Sequence, residues 1–192
     1  MEEDLQLIQK VLRGEQAAFR QLVERYQDYV FTISMKVLNN RERAEEVAQD
    51  VFIKVYRMLG TFQQKSRFST WLYTIAYRAA LDEVRKKKRT TESIESNDHY
   101  LQVADHGYSG SDAPLQNEDL QIQLQKAINV LKPQDATVIT LFYLHERSVQ
   151  EISTITGLSA SNIKTKLHRL REQLKVQLVS TLKEETKDLL SK

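Results

Sequence analysis

Phe19, Leu22, Val23, Tyr26, Val30, Ile33 and Val37 return at steps of three and four residues, which is the repeat of one face of an α-helix. Asn39-Asn40 follows as a stop signal. Ala44, Val47, Ala48, Val51, Phe52, Val55 and Leu59 repeat the pattern in a second helix that Gly60 closes, and a third is predicted to begin near Ser69, a good N-cap, with Leu72, Ile75, Ala76 and Ala79 on its inner face. With a short leading helix over residues 2–13, these make a first helical module.

Periodicity disappears between Thr90 and about Asn117, where Ser, Asn, Asp and Gly accumulate. Such a segment buries too little apolar surface to offset its ordering entropy, so it is predicted to be a flexible linker. Four further helices follow. Leu120, Leu124, Ala127, Ile128 and Leu131 end at Lys132-Pro133; then come Val138, Ile139, Leu141 and Phe142, then Val149, Ile152 and Ile155, and last Ile163, Leu167, Leu170, Leu174 and Leu178. The predicted fold is all-α, with two small helical domains at 1–89 and 118–185, the linker at 90–117 between them and a tail at 186–192.

Composition supports long helices, because 2 prolines and 5 glycines are few for 192 residues. With no cysteine there is neither disulfide nor thiolate metal site. No apolar run is long enough to cross a bilayer and the acidic start MEEDLQLIQK lacks a signal-peptide core, so a cytoplasmic protein is expected.

The net charge of +2 conceals segregation. Cations and acids number 8 against 2 over residues 60–89, 0 against 7 over 90–119, and 11 against 7 over 120–192. Two basic zones thus flank an acidic one, a pattern that bears on partners.

The basic zones carry the candidate chemistry. Residues 62–89 combine aromatic rings with the cationic run Arg85, Lys86, Lys87, Lys88 and Arg89. Rings stack on unpaired bases and cations hold phosphates, so a single-strand reader is indicated. Phe62 and Phe68, with Lys65 and Arg67 between them, are the candidates for a base pocket; Trp71 and Arg78 lie on the helix behind. Tyr73 and Tyr77 share a stripe with Ala80 and Val84, which fits core burial as well as base stacking.

Residues 148–174, SVQEISTITGLSASNIKTKLHRLREQL, carry the marks of a helix-turn-helix. Ser148 and Glu151 stand at capping-box spacing, Gly157 falls where the turn requires positive φ, Leu158 is placed to plug the core, and Ser159 is placed to cap the second helix. Ser161, Asn162, Lys164, Thr165, His168, Arg169 and Arg171 remain outside, with side chains suited to base edges and phosphates. Enzyme chemistry has little support: there is no phosphate loop or paired-His motif, and His99, His106, His145 and His168 are scattered, as surface histidines are. No catalytic residue, metal or cofactor is expected.

AEEVAQDVFIKVYRML at 44–59, FSTWLYTIAYRAALDEVRKKKR at 68–89 and the helix-turn-helix, in this order across a polar linker, resemble the extracytoplasmic-function sigma factors of the bacterial sigma-70 family. The resemblance covers nearly the whole chain. It implies a non-catalytic subunit that binds core RNA polymerase and directs it to promoter DNA. The first module would be region 2, which reads and melts the −10 element, and the second region 4, which reads the −35 element as duplex. It implies that Gln49 and Asp50, with Phe52 and Tyr56 beside them, meet the polymerase clamp, and that the loop 60–67 captures a base flipped from the non-template strand. It also implies an anti-sigma factor as partner, often membrane-anchored. Many relatives carry Asn where this chain has Arg78; Asn suits adenine, whereas Arg suits guanine or phosphate, so the usual base preference does not carry over there. The acids Glu92, Glu95, Asp98, Asp105, Asp112, Glu118 and Asp119 suit a basic polymerase channel. The rivals are a stand-alone operator-binding regulator, which leaves the 44–59 surface unexplained, and a nucleic-acid enzyme, which lacks a catalytic set.

Overall fold

A computed structural model describes the backbone of residues 2–92 and 118–190, and side chains over 2–87 and 123–179. Among the described residues every regular element is helical. In chain order they are α1 (Glu2–Leu12), α2 (Gln16–Leu38), α3 (Arg41–Met58), a 3-10 turn (Leu59–Thr61), α4 (Phe68–Glu92), α5 (Glu118–Asn129), α6 (Pro133–Ile139), a π-helical turn (Thr140–Leu144), α7 (Val149–Thr156) and α8 (Ala160–Leu190).

The predicted stop between α2 and α3 is built from its two asparagines. Asn39 takes the left-handed conformation, φ 46°, and its N–H returns to the Met35 carbonyl, while the Asn40 side chain accepts from the Arg43 amide at 2.9 Å. Helices α2 and α3 are thereby folded back to back. Leu22, Val30 and Ile33 of α2, Val47, Val51 and Val55 of α3, and Leu72, Tyr73 and Ala76 of α4 close one core. Asp4 ties α1 to this body, accepting from Arg25 at 2.7 Å and from the Tyr26 hydroxyl at 2.8 Å.

Two helices differ from the expectation at their ends. Helix α4 begins at Phe68 rather than at Ser69, so Ser69 lies in its first turn and its hydroxyl accepts from the Arg147 guanidinium at 3.0 Å instead of capping. Its backbone runs on to Glu92, past the predicted start of the linker, and that of α8 runs to Leu190, past the predicted end at 185. Residues 93–117, with most of the acidic segment, lie outside the described residues.

His145, expected at the surface, is buried with 6% of its area exposed. The π turn is the reason, because it ends with the His145 amide on the Thr140 carbonyl, and Glu146 then reverses the chain at φ 51°. His145 is turned inward against Tyr29, 4.7 Å away edge to face, and Tyr73, at 5.7 Å. The second module therefore packs on α2 and α4 of the first. Among the described residues no helix is long and apolar enough to cross a membrane.

Candidate nucleic-acid interface

The helix-turn-helix forms as its punctuation predicts. The Ser148 hydroxyl accepts from the Glu151 amide while the Glu151 carboxylate accepts from the Ser148 amide, closing a capping box at the start of α7. Gly157 ends α7 at φ 75°, and the Ser159 hydroxyl accepts from the Asn162 amide to start α8. Ile163, Leu167 and Leu170 are buried, so the register of α8 is fixed by its apolar side.

Ser161, Asn162, Lys164, Thr165, His168, Arg169 and Arg171 are all exposed. By helical spacing they divide between two directions. Ser161, Lys164, Thr165, His168 and Arg171 follow one outer stripe, while Asn162 and Arg169 follow the flank beside α6. On that flank Asp135 accepts from Arg169 at 2.9 Å and from Lys166 at 2.6 Å. Arg171 is steadied on the outer stripe by the Tyr143 hydroxyl at 2.8 Å. Lys166 and Asp135 were not singled out from sequence, since pairing between α6 and α8 leaves no periodic trace.

The first module presents two surfaces. On α3, Gln49 and Asp50 are exposed, Phe52 is half-buried, and Tyr56 is 47% exposed with its ring held edge-on by Phe19 at 4.9 Å. Ile53, 51% exposed, completes the stripe 49-52-53-56 and was missed. The three- and four-residue spacing of these positions on the face opposite Val47, Val51 and Val55 was the available signal.

The second surface comprises the loop before α4 and the outer side of α4. Lys65 and Arg67 are exposed, and Phe62 and Trp71 are half-buried with ring centroids 5.3 Å apart. Phe68 is a correction: it is 2% exposed, wedged between Tyr26 at 5.6 Å and Phe62 at 5.7 Å, because the earlier helix start turns its side chain into the core. It supports the aromatic pair from beneath and presents no face to solvent. Tyr73 and Tyr77 are likewise buried, which settles the alternative left open for them in favour of the core.

Arg78 and Arg85 to Lys87 are exposed along α4. Arg85 approaches Asp82 at 3.2 Å and Lys86 approaches Glu83 at 3.5 Å. Exposed pairs of this kind are worth at most about 1 kcal/mol. Lys88 and Arg89 continue the helix, with side chains outside the described residues.

Three groups have shifted protonation. Burial, reinforced by the Arg147 charge, pushes His145 down to about 4, so it is neutral near pH 7. Burial alone lowers Lys36 to about 8. For Glu151 burial opposes the charge, yet hydrogen bonds from Ser148 and Thr70 and the Arg147 guanidinium outweigh it and hold the carboxyl below its ordinary value. Among the described residues no group of three or more metal-ligating side chains converges.

Comparison with known proteins agrees with this layout. The family description Sigma-70 region 2 matches residues 22–90, and Sigma-70, region 4 matches residues 121–174. The ECF RNA polymerase sigma factor SigW of Bacillus subtilis is 35% identical over 177 residues, covering 89% of this chain and 94% of the relative. The ECF RNA polymerase sigma-E factor of Escherichia coli K12 is 30% identical over 176 residues, covering 89% and 92%. Among solved structures, the sigma factor RpoE in complex with the anti-sigma factor NepR from Bartonella quintana matches with TM-score 0.68 at 22% identity, covering 83% of this chain and 96% of that one. CnrH in complex with the cytosolic domain of CnrY matches with TM-score 0.61 at 20% identity, covering 93% and 98%. These relatives are initiation factors rather than enzymes. With both family regions in order and a relative at 35% identity over nearly its whole length, the chain belongs to the extracytoplasmic-function sigma factors of the sigma-70 family and serves transcription initiation.

Proposed function

We propose that the chain binds core RNA polymerase through the outer stripe of α3 and reads promoter DNA in two forms, the −10 element as a melted strand and the −35 element as duplex. The observation that carries this reading is the contrast between its two basic surfaces. One couples half-buried rings, Phe62 and Trp71, with the cations Lys65, Arg67, Arg78 and Arg85, a combination suited to unstacked bases. The other is an exposed polar helix stripe behind a capped turn, suited to a major groove.

On this reading Gln49, Asp50, Phe52, Ile53 and Tyr56 meet polymerase. Phe62 and Trp71 hold a flipped base over the buried Phe68, and Arg78 with residues 85–89 holds the strand's backbone. Melting is driven by binding energy, since unstacking costs a few kcal/mol and no chemical fuel is used. Ser161, Asn162, Lys164, Thr165, His168, Arg169 and Arg171 read or clamp the −35 duplex. A cytoplasmic location and an anti-sigma partner, of which a membrane-anchored one is the form relatives often have, belong to the same reading; solved relatives bound to NepR and CnrY support a protein partner.

The test is transcription from fragmented genomic DNA with core polymerase, with and without the chain, over a range of salt. Defined start sites that need both components, and that weaken as salt rises, are expected. Specific duplex binding by the chain alone, with no start sites on adding polymerase, would instead make it a stand-alone regulator.

A further inference from the structure

Tyr143 lies outside the residues assigned to DNA, yet it holds one of them. Its hydroxyl accepts from the Arg171 Nε at 2.8 Å, and the Arg171 guanidinium carbon lies 5.9 Å from the centre of its ring. The ring is braced in turn, edge to face, by Phe142 at 4.9 Å, and Phe142 packs against the core. Tyr143 belongs to the π turn Thr140–Leu144, which sends His145 inward and leaves Tyr143 46% exposed beside α8.

An arginine presents its N–H donors in one planar fork. Tyr143 occupies the Nε donor, and none of the ion pairs among the described residues involves Arg171, so the terminal Nη1–Nη2 edge is left for a ligand. That edge is the one that forks onto two oxygens of a phosphate. The other cations of α8 that are held across the module are held differently. Asp135 brings a carboxylate to Lys166 and Arg169, whereas Tyr143 brings Arg171 a hydroxyl, which orients the guanidinium without an opposing carboxylate. Arg171 also stands at the far end of the outer stripe from Ser161, about 15 Å along the helix axis. Base contacts come from the first turns of a recognition helix, so a group this far along meets the DNA backbone.

We infer, on the assignment of Arg171 to the −35 duplex made above, that Tyr143 is a positioning residue: it presets the Arg171 guanidinium as a clamp on one phosphate of that duplex. A free arginine loses its rotamer freedom when DNA binds, and one already held loses less. The gain appears as affinity for any −35 sequence, since a phosphate contact carries no base preference.

The test uses the full chain with core polymerase on a promoter recovered from the genomic fragments, with closed-complex affinity read in the cold so that melting does not contribute. Arg171→Ala is expected to weaken binding and to reduce the slope of log affinity against log salt by about 1. Tyr143→Phe, which keeps the ring and removes the hydroxyl, is expected to weaken binding roughly three- to tenfold, by the same factor on intact and base-substituted −35 elements, with an unchanged melting temperature. In the Arg171→Ala background Tyr143→Phe is expected to cost nothing further. In the free chain the Arg171 Nε–H resonance is expected to exchange slowly with solvent and to exchange faster in Tyr143→Phe.

An equal Tyr143→Phe loss with and without Arg171 overturns the inference, as does no loss in the Arg171 chain. If Arg171→Ala binds promoter as the wild type does, the assignment of Arg171 in the proposed function fails. The exchange of the Nε–H then still decides whether Tyr143 holds Arg171, and an exchange rate that Tyr143→Phe leaves unchanged overturns that as well.

Discussion

Acidification is expected to weaken this protein through one histidine. His145 is 6% exposed, with Tyr29 and Tyr73 against its ring, Arg147 as the neighbouring charge, and its Nδ1 atom without a hydrogen-bond partner. The folded state holds it neutral down to about pH 4, whereas an exposed histidine takes up its proton near 6.5. Between those values the unfolded chain binds more protons than the folded one. Stability therefore rises with pH and is lost as pH falls from about 6.5 towards 4. A depression from 6.5 to about 4 makes the loss between pH 7 and pH 5 about 2 kcal/mol, with a ceiling of roughly 3 kcal/mol below pH 4.

Carboxylates also titrate near the lower end of this range, so the informative quantity is the difference between wild type and His145→Phe, which keeps a ring between the two tyrosines and cannot titrate. Urea melts of both proteins at pH 5, 6 and 7 give it. At 2–4 °C per kcal/mol for a chain of this size, the same difference amounts to roughly 4–8 °C in melting temperature. The variant is expected to match wild type within about 1 kcal/mol at pH 7 and to gain on it steadily towards pH 5, as the removal of a buried titrating group requires. Parallel pH profiles, within about 0.5 kcal/mol, would refute the argument that burial sets the protonation of His145.

Other substitutions separate supporting from reading residues. Phe68→Ala is expected to cost about 3–5 kcal/mol in denaturant melts, because it empties a core site. Phe62→Ala should cost less stability and instead lower promoter opening, read with a fluorescent base in the −10 element. Asp135→Asn strands Lys166, whose ammonium is largely buried, and is expected to cost about 2 kcal/mol; Asp135→Asn/Lys166→Met should regain most of it in a double-mutant cycle. Gly157→Ala places a side chain at φ 75°, where there is free space but backbone strain, so melts should show a loss of about 1–2 kcal/mol.

Legibility followed the range of the interactions involved. Much of the local punctuation could be read from the chain: the Asn39-Asn40 stop, the Ser148–Glu151 box, the Gly157 turn and the Ser159 cap each depend on residues within one helical turn. Apolar stripes likewise announced the cores, and both family regions announced themselves by motif order. Contacts across the chain were silent. Tyr73 and Tyr77 could not be allocated until their neighbours were known, and Phe68 was misplaced by a helix start one residue earlier than its best-looking cap. His145 and Arg147 gave no periodic signal because the π turn and the positive φ at Glu146 rotate them out of any helical register. Asp135, a first-turn acid of α6 that nothing in the sequence singles out, holds two cations of α8.

The proposed function requires one chain to read two forms of DNA with two surfaces. Photo-crosslinkers placed at Phe62 and at Thr165, in complexes of core polymerase with a promoter, test this most directly. Position 62 is expected to label the unpaired non-template strand near −10, and only after the complex opens, while position 165 labels duplex near −35 in closed and open complexes alike. Labelling of the same duplex segment by both positions, or of −10 by position 62 while that element is still paired, would contradict it.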